Sequence, residues 1–233
     1  MEYLHGGYTL HIPKDAFPIS TDSAVLAYFA NPGKDAKVLD LGSGCGTLGV
    51  LLCADHAFCE VTGVELSEQA HLAAQENIAR NQLQARLKSI CADICHVPEL
   101  FPAGSFDCCI SNPPYFTSGQ DSKTHPQARK EASCTLISLF QSAAWALKYG
   151  GDFFLVHKPE RLAEIFAAAH SCGLEPKKLM LLRHQPASPV NLVLVQCRKG
   201  GKPGLKWEEQ HLFEADGQPS DFHRNVYHLQ EES

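Results

Sequence analysis

The chain has 233 residues, of which 44% are hydrophobic and 20% charged, and a formal net charge of -6. That is ordinary globular composition, enough for one large domain and a short appendage. It contains nothing near the roughly 18 consecutive apolar residues of a membrane span, and its negative total argues against indiscriminate nucleic-acid binding.

In chain order, residues 37–41 read as a short apolar strand running into Gly42-Ser43-Gly44-Cys45-Gly46, with an apolar helix over 47–55. Glycines between a strand and a helix let backbone amides approach a ligand closely. Gly44, Gly46 and Gly49 even satisfy the dinucleotide spacing G-x-G-x-x-G. Against that reading, Asp40 sits inside the strand end, two residues before Gly42, where a carboxylate would repel a pyrophosphate but attract the amino group of methionine. Residues 60–65 form a second strand ending in Glu65, 19 residues after Gly46, where an acid can accept hydrogen bonds from ribose hydroxyls. Ser67 is placed as N-cap of a helix over 68–81. A third strand, 86–91, is followed by Asp93, the third acid at successive strand ends. A fourth, 106–111, runs into Ser111-Asn112-Pro113-Pro114-Tyr115-Phe116.

The spacing then predicts a long helix over 131–148 stopped by Gly150-Gly151, a strand over 152–156 and a helix over 159–172 with Pro159 in its first turn. Strands over 174–183 and 190–198 follow. The alternation implies a doubly wound α/β sheet. The last two strands are joined by the Pro-rich stretch 184–189, too short for a crossover helix, so they must be antiparallel. The expected fold is therefore a Rossmann-like, mostly parallel seven-stranded sheet closed by an antiparallel hairpin. The expected organisation is an N-terminal extension over 1–34, the main domain over 35–198 and a Gly-, Pro- and charge-rich arm or tail over 199–233.

The ten cysteines lie in apolar segments without a C-x-x-C pair, and the twelve histidines show no H-x-x-x-H on a helical stretch. Reduced thiols acting as small core hydrophobes, and no metal site, are the expectation. The start, Met1-Glu2-Tyr3-Leu4-His5-Gly6-Gly7, lacks the layout of a secretory signal, so a cytoplasmic protein is expected. Between Pro176 and Trp207 stand seven basic residues and no acid (Lys177, Lys178, Arg183, Arg198, Lys199, Lys202, Lys206), a +7 segment on a body of -13. Such asymmetry fits one specific polyanion contact, with Lys199 and Lys202 as candidate RNA contacts.

The D-x-G-x-G-x-G run from Asp40 to Gly46 resembles methyltransferase motif I, and Asn112-Pro113-Pro114-Tyr115 resembles the N-P-P-Y motif of amino-methyltransferases acting on nitrogens conjugated with a π-system. With the pre-motif segment Phe17-Pro18-Ile19-Ser20-Thr21-Asp22-Ser23-Ala24-Val25-Leu26 and with Phe116 after Tyr115, the chain from about Phe17 to Arg198 resembles the tRNA(Val) adenine-N6 methyltransferase family. The resemblance implies S-adenosylmethionine as cofactor, held by Asp40, Gly42, Gly44, Gly46, Glu65 and Asp93, with Thr21 and Asp22 beside it. It implies that the Asn112 side-chain oxygen and the Pro113 carbonyl accept the two amine hydrogens, that Pro114 stiffens the loop, and that Tyr115 and Phe116 stack on the base. The implied partner is RNA, foremost tRNA. Glutamine methylation of a release factor and guanine-N2 methylation of ribosomal RNA use the same chemistry and remain open. Release-factor enzymes usually carry a helical domain before motif I, where this chain has about 35 residues.

Overall fold

The computed structural model describes residues 2–12, 21–114 and 135–229. A two-stranded ribbon, β1 (Glu2–Tyr3) and β2 (Thr9–Leu10), precedes helix α1 (Thr21–Phe29). Then follow β3 (Lys37–Leu41), α2 (Thr47–Asp55), β4 (Glu60–Glu65), α3 (Glu68–Arg80), β5 (Leu87–Cys91), the single turn α4 (Val97–Leu100) and β6 (Phe106–Ser111). The second half comprises α5 (Leu136–Ala146), β7 (Leu147–His157), α6 (Leu162–Ser171), β8 (Leu174–Arg183), β9 (Val190–Lys199), β10 (Lys206–His211) and α7 (Asp221–Val226).

Eight strands form one sheet in the order β10-β8-β9-β7-β6-β3-β4-β5. The pairs β3–β4, β4–β5, β3–β6 and β6–β7 are parallel, whereas β9 runs antiparallel to both β7 and β8. This is the expected mostly parallel sheet with its antiparallel hairpin, and β10 extends it by one strand, parallel to β8. Parallel strands covered on both faces are apolar throughout, and β3 shows how the two cores share them. Val38 belongs to the core under α1 and α2, while Leu39 and Leu41 belong to the core under α5 and α6. Neighbours Cys108 and Cys109 divide the same way, as a period of two requires. Among the nine described cysteines, all thiols are free and six are buried.

The helices follow local chemistry. Ser67 Oγ accepts from Ala70 N–H at 3.3 Å and starts α3, whose buried residues Ala73, Ala74, Asn77 and Ile78 recur at helical spacing. In α2, six of nine residues are buried, because it lies between the sheet and its neighbours; Gly49 lets the Leu87 side chain pack against the helix, where a Cβ would stand 2.5 Å from Leu87 Cδ1 and displace it.

Two expectations changed at the boundaries. The helix before β7 ends at Ala146, ahead of Gly150-Gly151, and its predicted first residues, 131–134, lie outside the described residues. The two glycines instead sit in β7 where its register with β6 breaks, between Leu147 opposite Phe106 and Asp152 opposite Cys108. A Cβ on Gly151 would come within 2.8 Å of Asp107 O, so the close approach of the strands demands glycine. Within 199–229, β10 and α7 are regular, and α7 packs on α1 and β10.

Candidate active site

Because β3, β4, β5 and β6 are parallel, their C-terminal ends share one edge of the sheet, the usual ligand edge of doubly wound folds. Gly42, Gly44 and Gly46 all adopt positive φ (78°, 55° and 82°), which turns the chain from β3 into α2 across the end of β4. Gly42 and Ser43 N–H donate to Val64 O at 2.9 and 3.1 Å. The turn passes so close to β4 that a Cβ on Gly63 would lie 2.5 Å from Ser43 Oγ, whereas at Gly42 and Gly44 a Cβ would meet no atom within 4 Å. The loop is thus tight on its protein side and open on its outer side.

Glu65, at the end of β4, is half-buried and braces this turn: Oε2 accepts from Gly44 N–H and Oε1 from Ser67 N–H, each at 2.7 Å. Ala92 N–H donates to Glu65 O at 2.9 Å, which brings the loop after β5 alongside. There Asp93 caps a 3₁₀ turn, its Oδ1 accepting from Cys95 N–H at 2.8 Å. Ser142 Oγ on α5 donates to Ile94 O at 2.8 Å and holds the same loop from the other side.

Beneath the glycine turn, Asp40 is 1% exposed, and neither carboxylate oxygen has a hydrogen-bond partner among the described residues. Burial, and secondarily the charge of Glu65, push its pKa up to about 8. A buried carboxyl without a partner is costly, and a cationic ligand group beside it would relieve that cost.

At the end of β6, Ser111 Oγ donates to Leu41 O at 2.7 Å, pinning β6 to β3 directly below Asn112. The Asn112 amide donates through Nδ2 to Ser23 Oγ on α1 at 3.0 Å. That bond assigns which side of the amide carries the oxygen. Thr21 and Asp22 form the first turn of the same helix. Pro113 is half-buried and Pro114 exposed, while Tyr115 and Phe116 lie outside the described residues. His157, closing β7 at this edge, is buried; burial, with help from Arg161, lowers its pKa to about 4, so it is neutral at physiological pH.

The sheet therefore assembles Asp40, Gly42, Gly44, Gly46, Glu65, Asp93 and Asn112 on one edge, with Thr21 and Asp22 entering from α1. Lys199 and Lys202 are not brought there. Strand β9 is antiparallel, so its C-terminus lies at the opposite edge, where Lys199 Nζ donates to Leu147 O at 2.7 Å. Lys202 O accepts from Lys177 Nζ at that edge. Ser23, Ser43, Gly63 and Ser111, to which the sequence alone assigns no role, complete the bracing of this edge. Their only signal was a small residue beside a motif, and their contacts span up to 89 positions.

An unpartnered buried carboxyl, an open glycine turn and two further acids on adjacent strands fit a ligand with an ammonium at one end and ribose and adenine at the other. Fold and edge together define a class I, S-adenosylmethionine-dependent methyltransferase. The chain belongs to the methyltransferase small domain family, which matches residues 19–169. It is 31% identical to a tRNA1(Val) (adenine(37)-N6)-methyltransferase of Tolumonas auensis, over 86% of this chain and 84% of that one. A protein of the same name from Photobacterium profundum is 28% identical over 87% and 86%. Among solved structures, one described as a predicted O-methyltransferase from Agrobacterium tumefaciens superposes with a TM-score of 0.76 at 22% identity, covering 89% of this chain and 96% of its own.

Proposed function

We propose that the protein methylates the exocyclic N6 amine of an adenine in tRNA. The observation that carries this reading is Asn112, standing at the strand end beside the glycine turn with its amide held by Ser23. In this reading Asp40 faces the methionine ammonium, the turn of Gly42, Gly44 and Gly46 follows the methionine chain, Glu65 takes the ribose hydroxyls, and Asp93 meets the adenine amino group. Thr21 and Asp22 border the cofactor from α1. S-adenosylmethionine supplies an electrophilic methyl group on a sulfonium. The protein's task is to make a delocalised amine nucleophilic. Asn112 Oδ1 and the Pro113 carbonyl accept its two hydrogens, drawing the nitrogen toward tetrahedral geometry and freeing its lone pair. Pro114 stiffens the loop, and Tyr115 and Phe116 stack on the base.

The proteins named above as tRNA adenine methyltransferases, similar along most of the chain, support adenine in tRNA over glutamine in a release factor. Lys199 and Lys202 stand at the far edge, roughly 20 Å from Asn112 by strand length; Lys199 is engaged with Leu147 O, so within this reading the exposed Lys202 touches a backbone phosphate remote from the target base. Labelled methyl transfer to total tRNA, ribosomal RNA and release factor, followed by nucleoside analysis, tests the proposal. Label in N6-methyladenosine from tRNA is expected. Label confined to release factor, or to N2-methylguanosine, overturns it.

A further inference from the structure

Three segments remote in sequence meet at the far end of α2, about 13 Å along that helix from the glycine turn. Asp55 is the last residue of α2, His5 opens the 3₁₀ turn between β1 and β2, and His228 follows α7. His5 Nε2 lies 2.7 Å and His228 Nε2 2.9 Å from the same oxygen, Asp55 Oδ1. The two imidazoles stack with centroids 3.7 Å apart. Yet His5 Nε2 and Asp55 Oδ1 are buried atoms that complete no hydrogen bond. The oxygen is near the ring nitrogens but away from the line along which an N–H would donate.

Three donor atoms are thus crowded together with no hydrogen bond between them, and a small rotation that splays the stacked rings aims both ring nitrogens and the carboxylate oxygen at a single point. We propose that His5, Asp55 and His228 form a binding site for one divalent first-row transition ion of the Zn2+ type. The donor set, two imidazole nitrogens and one carboxylate oxygen, suits such an ion, whereas Mg2+ and Ca2+ favour oxygen. The three donor atoms already lie within 4.8 Å of one another. Bonds of about 2.0–2.2 Å in a tetrahedron separate donors by about 3.3 Å, so each nitrogen withdraws from the oxygen by roughly half an ångström. The ion clasps the N-terminal ribbon and the segment after α7 to the end of α2. Motif spacing does not reveal it, because the ligands are separated by whole domains of sequence.

The test uses the full chain, stripped with a chelator and titrated with Zn2+ by calorimetry, with Co2+ absorption reporting the ligand field. One equivalent bound at micromolar affinity, with a Tm rise of about 5 °C at saturating ion, is expected. His228→Ala, at an exposed position, and Asp55→Asn should each weaken binding at least tenfold while the unliganded variants keep a native circular-dichroism spectrum. Zn2+ held by the exposed thiols Cys91 and Cys95 would survive both substitutions. The proposal is overturned if the wild type binds no Zn2+ at 100 µM (about 100 times a Kd of about 1 µM), or if both variants bind as tightly as wild type.

Discussion

Asp40 concentrates a conflict between stability and binding. Its pKa rises from 3.8 in the unfolded chain to about 8 in the fold, chiefly through burial. Between those values the folded chain holds a proton that the unfolded chain has released. Stability from this group is therefore full below pH 3.8 and is lost as pH rises through 8. Asp40→Asn removes the ionisable group but keeps its shape. Melts without cofactor should show the variant gaining on wild type as pH rises from 5 to 8, by at least about 2–4 °C, the Tm equivalent of about 1 kcal/mol. Its affinity for S-adenosylmethionine should fall at least tenfold. A pH-independent difference in Tm would mean that Asp40 is charged in the fold throughout. In the proposed function Asn112 serves the chemistry rather than the binding, so Asn112→Ala should cut turnover by two orders of magnitude or more, about 2.7 kcal/mol, with cofactor affinity nearly unchanged. Ser23→Ala acts through Asn112, so kcat should fall about tenfold with the cofactor KM unmoved, and Ser23→Thr should restore most of it. Equal losses in kcat and cofactor affinity would assign Ser23 to packing alone.

At the scale of elements, the motif-bearing half was legible and the rest less so, for identifiable reasons. The helix over 47–55 and the strand over 60–65 are found at those bounds, because glycines at one end and capping or turn residues at the other punctuate them. The start of β7 was hidden because Gly150-Gly151 reads as a helix stop, while its real cause is the approach of Asp107 O from the neighbouring strand, a contact only the sheet creates. The strand β10 was hidden because Lys206-Trp207-Glu208-Glu209 has no apolar alternation; an edge strand needs only one bonded side, and its partner is β8. Of the site, the acids and glycines were readable by spacing, but their bracing was not. Gly63 shows the difference. Nothing in its own strand calls for glycine, yet its missing Cβ makes room for Ser43 Oγ. Gly63→Ala should push the turn outward, lowering Tm by several degrees and raising the cofactor KM several-fold, while Gly33→Ala, with no atom within 4 Å, should change neither. A wild-type KM in the Gly63 variant would show that the turn yields without cost.

For the molecule as a whole, the basic stretch over 176–207 loses much of its distinctness once folded. Parallel pairing of β10 with β8 brings Glu208 to Lys178 at 3.0 Å and Glu209 to Arg183 at 3.2 Å, and β7 brings Asp152 to Arg198 at 2.8 Å. These exposed pairs add little stability, between about 0 and 1 kcal/mol each, but they pair three of the seven basic residues with acids and so reduce the field that the linear sequence suggested. Lys199 is committed inward, its ammonium capping Leu147 O, whereas Lys202 is exposed and its side chain has no ion pair among the described residues. The two lysines should therefore part company. Lys199→Glu should act as a stability variant, lowering Tm by several degrees with little change in the salt dependence of RNA binding. Lys202→Glu should leave Tm within about 1 °C. If the RNA reaches this edge as proposed, the slope of log K against log salt should fall in magnitude by about 0.7–0.9, one phosphate contact, with kcat unchanged. An unchanged slope in Lys202→Glu takes the far edge out of the RNA interface and leaves recognition to the edge that carries Asn112.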